Sequence, residues 1–241
     1  MIVLLTDFGR SEYVGVMKGV IYSAHAAAGI VDLCHEVGPQ GIIEGAWILK
    51  NSYRHFTKGT TFCCVVDPGV GAERKALAVK TEGYYFVAPD NGLLWETVKE
   101  VKAIDIRHVP IPENASRTFH GRDVFAVAAA NIDRGGFEEL AGTVDRMEKL
   151  EFHRKGREGI VVRIDPFANI ITNLPKLDKG RYAVEAGGAE YSMKYHPTYD
   201  SAEAGELFLI EGSCGTLEIS LKNAGANDQL QWRPGMRLTI A

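Results

Sequence analysis

The sequence predicts a two-part chain: an N-terminal α/β domain with a parallel-rich, Rossmann-like sheet, followed by a small all-β barrel. Three observations predict it. The first half alternates short, continuously apolar runs with amphipathic helical patterns, the signature of a sheet covered on both faces. The second half changes to closely spaced β-like segments separated by glycine-rich turns. Between them, Glu151–Glu158 is polar and basic and reads as a linker. The expected boundaries are 1–150 for the α/β domain and 157–241 for the barrel.

In the first half the strand-like runs are Ile2–Thr6, Ile30–Leu33, Thr60–Val66, Ala76–Thr81, Tyr84–Ala88 and Ala103–Ile106. A helix over Tyr13–His25 places Tyr13, Met17, Val20, Ile21 and Ala24 on one stripe. Two more helices fit Ile42–His55 and Asp123–Arg134, the latter around the alanine run 126–130, where Val127 is the one exception. In the second half the predicted strands are Ile160–Ile164, Ala183–Ala186, Tyr191–Tyr195, Leu207–Ile210, Thr216–Ser220 and Met236–Ile240, forming an antiparallel barrel or sandwich.

Composition narrows the function classes. At 241 residues the chain suits one large or two modest domains, and 46% hydrophobic residues suffice for a core. A net charge of −4 argues against non-specific nucleic-acid binding, which needs a basic face. No apolar run reaches the roughly 18 residues of a membrane span. Met1–Asp7 has no basic n-region and reads as a first strand and not as a signal peptide. Cys34, Cys63, Cys64 and Cys214 show no C-x-x-C spacing, which fits reduced thiols in a cytoplasmic protein.

Polar residues collect where an α/β sheet binds ligands, beyond the carboxyl ends of its strands. Asp7 follows the first run, His35 and Glu36 the second, Asp67 the third, and Asp90 and Asn91 the fifth. Singly, each is as well explained as a turn former. Together they point to a polyhydroxylated or cationic small molecule. His120, in Thr118-Phe119-His120-Gly121-Arg122-Asp123 at a loop-to-helix junction, is a candidate acid, base or ligand. Gly69-Val70-Gly71 fails the dinucleotide fingerprint because Arg74 stands where a third glycine is needed. That loop is better read as flexible backbone carrying Asp67 and Arg74 around a pocket. A metal site from Asp7, Asp67, Asp90, His35 and His120 has no H-x-x-x-H or H-x-H spacing behind it. In the second half, Phe167 beside Asn169 offers a stacking face and an amide edge to a planar heterocycle, or simply a core residue and a turn. Glu211–Thr216 offers backbone N–H groups and a hydroxyl that suit a carboxylate.

Ordered runs along nearly the whole chain then carry a resemblance: LLTDFG, YVGVMKG, VDLCHEV, VVDPGVGAER, VAPDNGLL and TFHGRD with the AAA after it, then DPFANIITN and GELFLIEGSCGTLEIS. The chain resembles the S-adenosyl-L-methionine (SAM) hydrolases, the SAM hydroxide adenosyltransferases, relatives of the bacterial fluorinase and chlorinase. The resemblance implies attack of activated water on C5′ of SAM, giving adenosine and L-methionine. It implies no cofactor and no metal, and a homotrimer with inter-subunit active sites. Asp67, Arg74 and His120 match the set that handles the water. Asp7 matches the ribose ligand, and Phe167 and Tyr199 the adenine sandwich with Asn169 on its edge. Asp165 matches the ammonium ligand and Ser213 the carboxylate ligand. In the halogenases a tyrosine replaces Asp67, Arg74 has no equivalent, and the fluorinase has an insertion that this chain lacks between Ala76–Thr81 and Tyr84–Val87. Gly121 replaces the fluorinase's halide-holding serine, a glycine that the chlorinase shares. Two departures stand out: Cys214 replaces an arginine after the serine, and the family's second aspartate is missing near Ser11 and Glu12. The alternatives are a nucleoside- or SAM-binding sensor without turnover, and a metal-dependent nucleotide hydrolase.

Overall fold

The computed structural model describes residues 1–140 and 142–241, which form two compact units, Met1–Glu151 and Phe152–Ala241. The first unit contains strands β1 (Ile2–Thr6), β2 (Ile30–Cys34), β3 (Thr61–Val65), β4 (Ala76–Thr81), β5 (Tyr85–Pro89) and β6 (Ala103–His108). Helices α1 (Glu12–Ala24), α2 (Ile42–Ser52), α3 (Trp95–Val101) and α4 (Val127–Asp133) accompany them, with a π-helical turn over Gly121–Ala126 leading into α4. The sheet order is β2-β1-β3-β5-β4-β6.

The sheet is mixed. Strand β1 pairs parallel with β2 and β3, and β3 parallel with β5, whereas β4 runs antiparallel to both β5 and β6. The reversal of β4 follows from its connection. Only Glu82, Gly83 and Tyr84 separate β4 from β5, too few for the dozen or so residues of a parallel crossover. Thr81 closes that turn: its backbone N–H donates to Tyr84 O at 2.9 Å, and its Oγ1 accepts from Tyr84 N at 2.9 Å.

Both β1 and β3 are buried throughout, as their unbroken apolar sequences require. Ile2, Leu4, Cys63 and Val65 pack with Met17 and Ile21 of α1, with Phe125 of the π-helical turn and with Ala129 of α4. The buried stripe of α1 is Val14, Met17 and Ile21. Tyr13 is exposed because its ring instead joins Phe8 and Phe119, with centroids 5.7 and 5.0 Å away.

The second unit is a closed barrel in the order β10-β11-β12-β8-β7-β13-β9. Its strands are β7 (Glu158–Ile164), β8 (Ile170–Thr172), β9 (Arg181–Ala186), β10 (Ala189–Tyr195), β11 (Leu207–Glu211), β12 (Leu217–Leu221) and β13 (Arg237–Ile240), with a short helix α5 (Ala226–Leu230) before the last. Strand β9 alternates exposed and buried residues strictly, sending Tyr182, Val184 and Ala186 inward. The pairing departs from an all-antiparallel barrel at one place, where β10 and β11 run parallel through Lys194 with Phe208 and Tyr195 with Leu209. The intervening segment 196–206 is long enough to carry the chain back to the start of a parallel neighbour. No helix among the described residues is long and apolar enough to cross a membrane.

Candidate active site

The loop leaving β3 carries Asp67, and seven residues later Arg74 folds back onto it. Arg74 Nε donates to Asp67 Oδ1 at 3.0 Å and to Oδ2 at 3.1 Å, and Nη2 makes a further short contact to Oδ2. The same Nη2 lies 2.8 Å from His120 Nδ1. A guanidinium only donates, so Nδ1 must accept. That assigns His120 the neutral tautomer with its proton on Nε2. The three side chains are enclosed: the Asp67 and Arg74 side chains are 5% and 10% exposed, and His120 is 4% exposed. Arg74 is also backed by the Phe125 ring, 5.2 Å from its Cζ. Its Nη1 is buried without a protein partner.

Gly71 makes this loop possible. It sits at φ +77°, and a Cβ there would lie 2.3 Å from the Arg117 carbonyl oxygen. A residue with a side chain would therefore push the loop off the segment that presents His120. The His120 backbone is fixed in turn by the π-helical turn after it, where Arg122 N and Asp123 N both donate to Phe119 O, at 3.2 and 3.3 Å. Such widened turns recur at functional positions. The charges behind the histidine are structural: Arg122 pairs with Asp123, which also accepts from Ser116 N at 2.8 Å. Burial, reinforced by the positive charge of Arg74, holds the His120 imidazole below its ordinary pKa of 6.5.

A cavity of about 280 Å³ opens in front of this set, lined by Asp7, Phe8, Tyr13, Asp67, Phe119 and His120 among others. Asp7 leaves the carboxyl end of β1, and its Oδ2 accepts from Gln40 N at 2.9 Å. Burial pushes the Asp7 carboxyl up, and the charge of Asp67 acts in the same direction. A cavity bearing two carboxylates and three aromatic rings suits a cation that carries hydroxyl groups.

The other strand-end candidates have local jobs. His35 pairs with Thr6 Oγ1 at 2.9 Å and Asp32 at 2.9 Å, and Glu36 meets Arg10 at 3.2 Å. Asp90 accepts from Glu148 N, and Asn91 bonds Val66 O and Leu93 N. Asp90 lines a larger hollow of about 1110 Å³ around Trp95, which shares only Arg74 with the Asp67–Arg74–His120 set. Ser11, near the missing family aspartate, donates to Phe8 O at 2.7 Å and so closes a turn. Among the described residues, no three His, Cys, Asp or Glu side chains group as a metal would require.

In the second unit, Asp165 organises its own loop. Oδ1 accepts from Phe167 N at 2.9 Å and Asn169 N at 2.8 Å, while Oδ2 accepts from Asn169 Nδ2 at 3.0 Å. This loop leaves Phe167 78% exposed and Asn169 buried. Tyr199, 48% exposed, donates its hydroxyl to Glu218 Oε2 at 3.0 Å. Ser213 lies in the exposed turn closed by Gly215 N to Gly212 O at 2.9 Å. Glu218 is inconspicuous in the sequence, because alternation in a strand marks such a residue as outward-facing and solvated. Its burial depends on a tyrosine nineteen positions away.

Fold and site together define a two-unit protein with an Asp–Arg–His set in an α/β unit and a closed β-barrel behind it in sequence. Comparison with known proteins places it further. Residues 2–141 match the family model of the SAM hydroxide adenosyltransferase N-terminal domain, and residues 159–239 match that of its C-terminal domain. The chain belongs to the SAM hydroxide adenosyltransferase family. It is similar to the (R)-S-adenosyl-L-methionine hydrolase of Methanocaldococcus jannaschii, 39% identical over 73% of this chain and 67% of that protein. The protein of the same name from Thermus thermophilus is 33% identical over 98% of this chain and 97% of its own. A crystal structure of an uncharacterized conserved protein from Thermotoga maritima superposes with a TM-score of 0.91 at 34% identity, covering all of both chains.

Proposed function

We propose that this protein hydrolyses S-adenosyl-L-methionine to adenosine and L-methionine by attack of water on C5′. The observation that carries the reading is the enclosed Asp67–Arg74–His120 set, with Arg74 bridging the other two. A sulfonium leaves as a neutral thioether, so the leaving group needs no acid. The demand falls on the nucleophile, which must be oriented and lose a proton. Arg74 lies behind the cavity-lining Asp67 and His120 and acts through its charge, stabilising the developing hydroxide and keeping Asp67 ionised. His120, neutral with its proton on Nε2, supplies a donor. Asp67 is left as the proton acceptor. The water oxygen bonds to C5′, the C5′–S electron pair returns to sulfur, and the water proton passes through Asp67 to solvent.

The remaining contacts belong to the same proposal. Asp7 takes the ribose hydroxyls, Phe167 and Tyr199 stack on adenine with Asn169 at its edge, Asp165 holds the ammonium and Ser213 the carboxylate. So do the homotrimer, the cytoplasmic location, the Rossmann-like character of the α/β domain and the independence from any cofactor or metal. Asp67 favours water over halide, since a carboxylate lining the cavity repels an anion and can accept a proton from water.

The test is incubation of purified protein with SAM and chromatography of the products, with and without chelator and with high chloride or fluoride. Adenosine and methionine in equal amounts, unaffected by chelator, are expected. Intact SAM would leave only a binding protein, loss on chelation would indicate a metal enzyme, and a 5′-haloadenosine would indicate a halogenase.

A further inference from the structure

Glu218 is a carboxylate on the wrong face of its strand. Its neighbours Leu217 and Ile219 point into the barrel core, so the two-residue period turns Glu218 outward. Outward glutamates are ordinarily solvated, yet only 7% of this one is exposed. Two loops cover it. Tyr199 donates its hydroxyl to Oε2 at 3.0 Å, and Gly212 lies so close to the other oxygen that a Cβ there would be 1.7 Å from Oε1. Burial pushes the Glu218 carboxyl up, against the opposing effect of the tyrosine bond.

The tyrosine is held at several points. Its carbonyl oxygen accepts from Lys222 Nζ at 3.0 Å, and its ring stands edge-on to Phe208 at 6.2 Å and 78°. With the hydroxyl anchored inward, the half-exposed ring has a fixed plane. A flat aromatic face fixed before the ligand arrives is what stacking on a heterocycle requires, because little rotamer freedom is then lost on binding.

We infer that Glu218 is a positioning residue for purine binding: it fixes the ring plane of Tyr199 and seats the Gly212–Gly215 turn against β12. The inference rests on the reading of Tyr199 and Ser213 as substrate contacts. It also accounts for a glycine at 212, since any side chain there would displace the carboxylate from the tyrosine.

The experiment measures adenosine affinity by calorimetry and SAM hydrolysis kinetics for the wild type, Y199F, E218Q, E218L and Y199F/E218L. Y199F and E218L should each weaken adenosine binding and raise KM about fivefold, the worth of one hydrogen bond, with a much smaller change in kcat. E218Q should stay within about twofold of wild type, because its amide oxygen still accepts from the phenol. The double variant should be no worse than E218L, since both substitutions remove the same interaction. Multiplying effects in the double variant, or unchanged adenosine affinity in E218L, would overturn the inference. If E218L does not fold, Y199F against E218Q still decides: equal losses in both refute it. Because adenosine binding needs no turnover, a wild type that binds adenosine but leaves SAM intact ends the hydrolase reading while the positioning role is still decided.

Discussion

Replacing Arg74 with lysine separates the geometry of the Asp67–Arg74–His120 set from its charge. Arg74 contacts both oxygens of Asp67 through Nε at 3.0 and 3.1 Å, and through Nη2 reaches His120 Nδ1 at 2.8 Å. A single ammonium nitrogen cannot span those positions and also supply the buried donor at Nη1. The charge remains, so Asp67 keeps a counter-ion. The cost of about 3–5 kcal/mol for stranding a buried carboxylate, expected for R74A, is avoided. What is lost is the two-point hold on Asp67 and the bond that sets the His120 tautomer. On the proposed mechanism the groups that handle the water lose their alignment, which costs about 2.7–4 kcal/mol of transition-state stabilisation, or roughly 10²–10³ in kcat. Initial rates of adenosine formation, measured beside a thermal melt, should therefore show R74K severely slowed but melting within a few degrees of wild type. R74A should be slowed and destabilised together. An R74K enzyme within about threefold of the wild-type kcat would refute the reasoning, since the loss expected is roughly 10²-fold or more.

Two further outcomes follow from the same site. Burial and the Arg74 charge depress the His120 pKa below 6.5, so as pH falls the unfolded chain takes up this proton before the folded one. The stability contributed by neutral His120 is thus complete above about 6.5 and is lost as pH falls through the depressed folded value. Histidine titration by NMR should place His120 below the ordinary value, with activity persisting under pH 6.5, and a titration at or above it would sink the tautomer assignment. Gly71→Ala should cost about 1–3 kcal/mol, seen as a lowered melting temperature, because it combines a left-handed backbone with a 2.3 Å approach to the Arg117 carbonyl. Gly69→Ala, whose Cβ would come no nearer than 3.5 Å to Arg74 Cγ, should fold normally, and equal melts for the two would contradict this account.

Much of the α/β unit was legible because the relevant signals are local. The apolar run 2–6 and the amphipathic run after Tyr13 announce their own structure. Helix α3 escaped because seven residues hold too few turns to show a period, and β8 because it has three. The reversal of β4 is written in the three-residue connection after it, which is too short for a parallel crossover. Among strand-end polar residues, Asp7 and Asp90 look alike in sequence. Only packing distinguishes the one that lines the cavity with His120 from the one that accepts a bond from Glu148 N.

By itself the sequence determined the kinds of element and the change from α/β to β patterning, and it singled out the Asp67–Arg74 loop and His120 as candidates. Those properties depend on hydrophobic period, glycine placement and side-chain type, all readable within a few residues. The tertiary structure decided which groups meet. Arg74 and His120 are 46 positions apart, and their contact sets the histidine tautomer. Tyr199 and Glu218, 19 apart, meet because the barrel closes, and burial then turns an unremarkable strand glutamate into an anchor. Such pairings arise from chain closure and shared burial, which no local pattern records.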